Sequence, residues 1–160
     1  MIRLARPDDI AFIKSLIDAP QNLDKLGGYD MATLRAALDD GGSTVLIWQP
    51  ANQPEGFAWL RDTAQGTKLE ELTMARPGGG RGAAFLAAIR GWLAGRGVTR
   101  FWLNVAADND GAIRFYQRAG FRRGKVTAAV WQRRRGPVAD ALCMDIDLPG
   151  APAPQGGLAW

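Results

Sequence analysis

The run Arg76-Pro77-Gly78-Gly79-Gly80-Arg81-Gly82 lies between two apolar stretches, and its residue types suit a phosphate. Glycine lets backbone approach an anion closely, and the first N–H groups of a following helix add hydrogen bonds and the positive end of a dipole. Gly78, Gly79, Gly80 and Gly82 meet that need, Ala83 follows in the helix, and Arg76 and Arg81 flank the turn as charge-assisted donors to a diphosphate. A Walker A loop is excluded, because no Lys-Ser or Lys-Thr follows the glycines. Gly78, Gly80 and Ala83 do satisfy the dinucleotide pattern G-x-G-x-x-A. The next strand, however, ends Asn104-Val105-Ala106-Ala107 without an acid for a ribose hydroxyl, so dinucleotide binding is a lesser alternative.

The chain contains no histidine, which removes the commonest general base and every Ser-His or Cys-His nucleophile pair. Proton transfer is left to carboxylates, tyrosine, lysine or water. With one cysteine, Cys143, and no histidine, a zinc site is not expected; Cys143 sits in an alternating apolar run and reads as a buried thiol.

Several elements must position the turn. Ile2 to Leu4 reads as a short strand, and Pro7-Asp8-Asp9 opens a helix with Ile10, Phe12, Ile13, Leu16 and Ile17 before Pro20 stops it. Met31 to Leu38 has helical spacing, and Ser43 to Trp48 is β-rich. Glu55 to Arg61 and Thr67 to Met74 form a hairpin about Ala64-Gln65-Gly66. The turn leads into a helix from Gly82 to Arg96, followed by a strand from Arg100 to Ala106. Asp108 or Asn109 caps a helix to Arg118, closed by Ala119-Gly120. Phe121 to Trp131 and Ala139 to Leu148 form a closing antiparallel pair joined by Arg133-Arg134-Arg135-Gly136-Pro137. The single strand-helix-strand crossover makes Thr67 to Met74 and Arg100 to Ala106 parallel neighbours.

At 160 residues the chain suits one domain, expected over 1–148, with a Pro-, Gly- and Ala-rich tail over 149–160 expected to be disordered. No stretch resembles a signal peptide or a membrane span, which places the expected protein in the cytoplasm, away from membranes. Residues 76–135 hold 13 of the 20 basic residues and 2 of the 16 acids, so that half suits a polyanion and the remainder something cationic.

Two segments resemble the GNAT superfamily of acetyl-CoA-dependent N-acetyltransferases. One runs from Leu69 through Glu70, Glu71 and the glycines to Leu86; the other is Asn109-Asp-Gly-Ala112-Ile-Arg-Phe115-Tyr116-Gln-Arg-Ala-Gly120-Phe121 after the strand Phe101-Trp-Leu-Asn-Val. The resemblance implies an α/β (α+β) fold: a mixed, mostly antiparallel sheet of six to seven strands, helices on both faces and one central βαβ crossover. It also implies acetyl-CoA as co-substrate and no metal. The pantetheine arm would pair with backbone near Met74, and the diphosphate would meet Arg76, Gly78, Gly79, Gly80, Arg81, Gly82 and Ala83. By the same resemblance Asn109 contacts the cofactor and Tyr116, taken as a phenol of ordinary pKa, protonates the departing thiolate. Glu70 or Glu71 would serve as the base for the acceptor amine. Strict alternation puts Leu69, Glu71 and Thr73 on one face and Glu70, Leu72 and Met74 on the other, so only one glutamate can face a given site. Pro77 stands where the family has Gln or Arg ahead of the glycines, leaving Arg76 or Arg81 to substitute, and Asn104 replaces a glutamate that some members carry.

The implied reaction is acetyl transfer to a primary amine of a small molecule or peptide by direct attack in a ternary complex. The alternatives are a non-catalytic acyl-CoA-binding module, the dinucleotide reading, and nucleic-acid binding through Arg133-Arg134-Arg135, disfavoured because that stretch is a short hairpin tip. Asp18, Asp24, Asp30, Asp39 and Asp40 suggest a cationic acceptor, and Trp48 and Trp131 are either core or acceptor-pocket aromatics. The resemblance leaves a homodimer open without naming an interface.

Overall fold

The computed structural model describes residues 1–149, so the expected tail lies outside the described residues apart from Pro149. In chain order the elements are β1 (Ile2–Leu4), a 3₁₀ turn (Pro7–Asp9), α1 (Ile10–Ile17), a second 3₁₀ turn (Pro20–Asn22), α2 (Met31–Asp39), β2 (Ser43–Trp48), β3 (Gly56–Thr63), β4 (Gly66–Met74), α3 (Arg81–Gly95), β5 (Arg100–Ala106), α4 (Asp110–Arg118), β6 (Arg122–Trp131) and β7 (Ala139–Asp147). The first helix begins later than Pro7 because the Asp9 carboxylate is taken up by the Arg6 backbone N–H at 2.7 Å and the Arg3 guanidinium at 2.8 and 2.9 Å. Among the described residues no helix is long and apolar enough to cross a membrane.

The sheet order is β1-β2-β3-β4-β5-β7-β6, and among the described residues only β4 and β5 run parallel. Alternation along β2 and β3 divides the core in two. Val45, Ile47, Phe57 and Trp59 pack under α1 and α2 with Ile10, Ile13, Ile17 and Leu34. Leu46, Trp48, Ala58 and Leu60 face the other way, toward Phe85, Leu86, Ile89 and Leu93 of α3. Fully burying an aliphatic or aromatic side chain contributes about 1.5–3 kcal/mol, so these two apolar layers hold the sheet between its helices. Trp48 is a core residue, stacked on Phe85 with centroids 5.5 Å apart.

The arginine-rich hairpin tip is folded onto the loop between α1 and α2. The Arg134 and Arg135 backbone N–H groups donate to the Leu26 and Leu23 carbonyls at 3.2 and 2.7 Å, and the Trp131 indole N–H donates to the Lys25 carbonyl at 2.8 Å. Arg133 makes a two-pronged pair with Asp108 at 3.0 and 3.1 Å, and Arg134 pairs with Asp18. These arginines fasten two distant segments together. That use displaces the nucleic-acid reading of the triplet.

Candidate active site

β4 and β5 pair only from Thr67↔Phe101 to Leu69↔Leu103. Beyond that point β4 continues on β3 to Met74, β5 continues on β7 to Ala106, and the two parallel strands splay apart. A cleft at the carboxyl ends of parallel strands is where a ligand can reach backbone groups freed from the ladder.

A bulge in β4 decides what faces that cleft. Leu60 pairs with Leu69 and Trp59 with Glu71, so Glu70 is an extra residue. Leu69 joins the core under α3, as does Leu72. Glu71, opposite Trp59, therefore lies on the α1–α2 side, and the bulged Glu70 lies there too, paired with Lys68 Nζ at 2.9 Å and Arg61 Nε at 3.6 Å. Strict alternation fails here, and both glutamates line the same cavity. Leu69 and Leu72, three residues apart with two glutamates between them, cannot share a core face on a regular strand. That spacing is the signal a sequence reading needs.

On the α3 side a groove of about 760 Å³ is lined by Met74, Pro77 to Gly80, Gly82, Ala83, Leu86, Arg90, Phe115, Tyr116 and Arg118, among others. Gly78, Gly79 and Gly80 all have positive φ, at 88°, 67° and 76°. Gly80, at the helix N-cap position, is left-handed, and no side chain caps α3. The first backbone N–H groups of a helix have no intrahelical partner, so this N-terminus is open to an anion. Gly82 serves a different purpose: a Cβ there would stand 3.3 Å from the Phe115 ring. The two flanking arginines do not line the groove. Arg81 Nη1 donates back to the Gly78 carbonyl at 3.0 Å, and Arg76 points toward Glu55 at 4.0 Å. Arg90 and Arg118 line it instead; Arg90 lies on the α3 face with Ala83 and Leu86, a helical spacing legible in the sequence.

A second cavity of about 310 Å³ opens on the other side of the splay. It shares Asn22, Lys25, Leu72, Thr73, Ala112 and Tyr116 with the groove, and is further lined by Glu70, Glu71, Asn104, Asn109 and Trp131. Glu71 is only 7% exposed. Burial pushes its carboxyl up to about 7, opposed by the hydrogen bond that the Tyr29 hydroxyl donates to Glu71 Oε1 at 3.1 Å. Tyr29 arrives from the α1–α2 loop, 42 residues away in sequence, and rests edge-on against Trp59. No local motif announces it.

Tyr116 lies where the groove and the second cavity meet, packed edge-on between Phe115 and Phe121. Its pKa is not the ordinary phenol value: burial first, and then the neighbouring Glu71 charge, raise it, so the phenol stays protonated. Asn109 Oδ1 accepts from the Ala112 N–H at 3.2 Å as the cap of α4, and the residue lines the second cavity rather than the groove beside the glycines. Three of the five aspartates expected near an acceptor are engaged elsewhere. Asp18 pairs with Lys14 and Arg134, Asp30 caps α2, and Asp40 accepts from Gly42 and Ser43.

The acetyltransferase (GNAT) family model matches residues 13–121. A mycothiol acetyltransferase of Salinispora tropica is 31% identical over 140 residues, covering 76% of this chain and 44% of that protein; the chain thus spans less than half the length of that relative. Solved structures share the fold at lower identity. The ribosomal-protein-S18-alanine N-acetyltransferase of Escherichia coli has a TM-score of 0.77 at 19% identity, covering 100% of this chain and 99% of that one. The spermidine N-acetyltransferase of Vibrio cholerae, in complex with CoA and spermine, has a TM-score of 0.79 at 17% identity, covering 92% and 94%. The uncapped glycine turn, the splayed strands and a family match across most of the sequence agree: the chain belongs to the GNAT family of acetyltransferases.

Proposed function

We propose that the protein transfers an acetyl group from acetyl-CoA to a primary amine of a small molecule or peptide by direct attack in a ternary complex. One observation carries the reading: the groove at the glycine turn and the cavity containing Glu71 meet at Tyr116, Leu72 and Thr73, so ligands from opposite sides of the sheet reach one point. Holding two reactants in contact removes much of the entropic cost of their reaction.

The groove suits the donor substrate. Three glycines and the open end of α3 take the diphosphate, Arg90 and Arg118 add positive charge, and backbone beside Met74 in the splay pairs with the pantetheine arm. An amine arrives as an ammonium and must lose a proton before it attacks. Glu71, pushed up to about 7, accepts that proton near neutral pH. As the C–N bond forms and the C–S bond breaks, the amine's second proton passes to water and the thiolate takes one from Tyr116, which burial keeps protonated and solvent later replenishes. N–H groups near Met74 stabilise the developing oxyanion. Glu70 and Glu71 make the acceptor cavity favourable to a cation, a role the aspartates do not fill.

Titration calorimetry of the purified protein with acetyl-CoA and, separately, with NAD tests the donor side. Micromolar acetyl-CoA binding without NAD binding supports the proposal, and NAD binding alone overturns it. Tyr116→Phe then separates an enzyme from a binding module. We expect acetyl-CoA affinity to be retained and turnover with any active amine to fall about tenfold, below the usual general-acid range of about 10²–10⁴-fold because a thiolate is already a good leaving group.

A further inference from the structure

We propose that Tyr29 is the positioning residue of the acceptor cavity, holding the Glu71 carboxylate at the β4 bulge while the β6–β7 hairpin holds the loop that carries Tyr29. The inference deepens the proposed function, and rests on it for its catalytic meaning. Its physical content is independent of turnover.

The Tyr29 ring stands edge-on to Trp59 with centroids 5.4 Å apart, and Trp59 is itself opposite Glu71 in the β3–β4 ladder. The hydroxyl therefore approaches Glu71 from a ring already fixed by the core under α1 and α2. A phenol hydrogen bond favours the ionised carboxylate against the burial that opposes it. The same surroundings raise the Tyr29 phenol, first through burial and then through Glu71, so it stays a donor across the working range. The other titratable or charged groups around Glu71 are Glu70 and Lys68 on β4, Arg61 on β3, Lys25 on the α1–α2 loop, Tyr116 on α4 and Arg134 of the hairpin. Glu70 raises Glu71, whereas Lys68 and Arg134 lower it.

Tyr29 reaches this position from a loop with little regular structure of its own. Residues 23 to 26 are held by the hairpin through the Trp131 indole and the Arg134 and Arg135 backbone N–H groups, while the Arg133 guanidinium reaches the Asp24 carbonyl at 3.4 Å. At Gly28 a Cβ would meet the Arg134 side chain at 3.1 Å, so the hairpin and the approach to Tyr29 are closely packed. A hairpin whose Trp131 lies 106 residues beyond Lys25 thus helps to set the geometry of a carboxylate in the middle of β4.

The test is a carboxyl titration by NMR on protein labelled with ¹³Cδ-glutamate, with the Glu71 signal assigned by its absence in Glu71→Gln. In Tyr29→Phe the ring stays against Trp59 and only the hydroxyl is lost. The Glu71 titration should then move about one pH unit upward, roughly the value of one hydrogen bond to a charged group. Trp131→Phe removes the indole donor to Lys25 and should move it upward by less, about 0.3 unit. An unmoved titration in Tyr29→Phe overturns the inference, and so does a downward one, which would mean that water had entered and the hydroxyl was not holding the carboxylate. An upward shift in Tyr29→Phe with none in Trp131→Phe overturns the hairpin's part. None of these outcomes depends on turnover, so failure of the acetyltransferase reading is seen separately, in the acetyl-CoA titration and the turnover of the unsubstituted protein.

Discussion

The two halves of the site are built from different materials. The α3 side is made largely of backbone: three glycines with positive φ, an uncapped helix N-terminus and an apolar groove wall. The α1–α2 side is made of side chains drawn from three distant segments, Glu71 from β4, Tyr29 from a loop and Trp131 from the last hairpin. A backbone site needs no tuning beyond its shape, because N–H dipoles do not titrate. A side-chain site depends on burial and neighbours for its protonation state. The half proposed for the donor should therefore respond to substitution through affinity, and the half proposed for the acceptor through rate and pH.

The largest expected effect is on rate. Glu71→Gln keeps the side chain's shape and removes the proposed proton acceptor, so acetylation should fall by about 10²–10⁴-fold, the usual contribution of a general base. Acetyl-CoA affinity, measured by calorimetry, should stay within about twofold. The unsubstituted protein should gain activity as pH rises through about 7, and the variant's residual activity should lack that limb. A variant of normal activity would mean that the two halves do not divide the work in this way.

Next in size is an effect on stability that follows from the same burial. Glu71 has a folded-state pKa raised from 4.5 to about 7, so the folded protein holds a proton that the unfolded chain releases. The associated stability is fully present below about pH 4.5 and is lost as pH rises to about 7, and at full value that shift corresponds to about 3 kcal/mol. Glu71→Gln should match the parent's melting temperature near pH 4.5 and exceed it above pH 7 by about 10 °C, as thermal melts across pH 4 to 9 would show. Equal pH dependence in the two proteins would mean that Glu71 is solvated, and the contrast between the halves would weaken.

The difference in materials also accounts for what the sequence disclosed. The glycine turn is local, and its residues have few other uses in that pattern, so the turn from Gly78 to Ala83 and its place before α3 were readable; the helix around Phe115 and Tyr116 was readable for the same reason. The element order and the parallel β4–β5 pair followed from periodicity, and the seven-strand mixed sheet agrees with them. The acceptor half was read less well. Tyr29 meets Glu71 only through tertiary packing, and three of the five expected aspartates, Asp18, Asp30 and Asp40, were already committed to caps and ion pairs. The bulge at Glu70 broke the assumed alternation, and Tyr116 departed from an ordinary phenol because burial is a property of the fold.

A test of the donor half should show the opposite signature to Glu71→Gln. Gly80→Val places a β-branched residue at φ 76°, a conformation that costs about 1–3 kcal/mol for such residues, at the cap of the helix proposed to receive the diphosphate. Acetyl-CoA binding should weaken about tenfold, and turnover at saturating acetyl-CoA should stay within about threefold. If turnover falls with affinity unchanged, the glycine turn acts on the reaction itself and the division between shape and tuning is wrong.

The smallest expected effect is at Glu70, and it is the most discriminating because this residue is adjacent to Glu71 and on the same side of the sheet. The two carboxylates differ in surroundings rather than in chemistry. Glu70 is held by Lys68 Nζ at 2.9 Å and by the half-exposed Arg61, both at Oε1, so its charge is already engaged by cations. Such partly exposed pairs contribute about 0–1 kcal/mol, and Glu70→Gln should accordingly change acetylation by less than about fivefold, with the limb near pH 7 unmoved. Neutralising Glu70 also removes a charge that raises Glu71, so any shift should be a small one toward lower pH. Should Glu70→Gln abolish turnover while Glu71→Gln leaves it intact, the base would be the paired carboxylate. Burial would then have been the wrong criterion for choosing between two neighbours that a β-bulge delivers to one cavity.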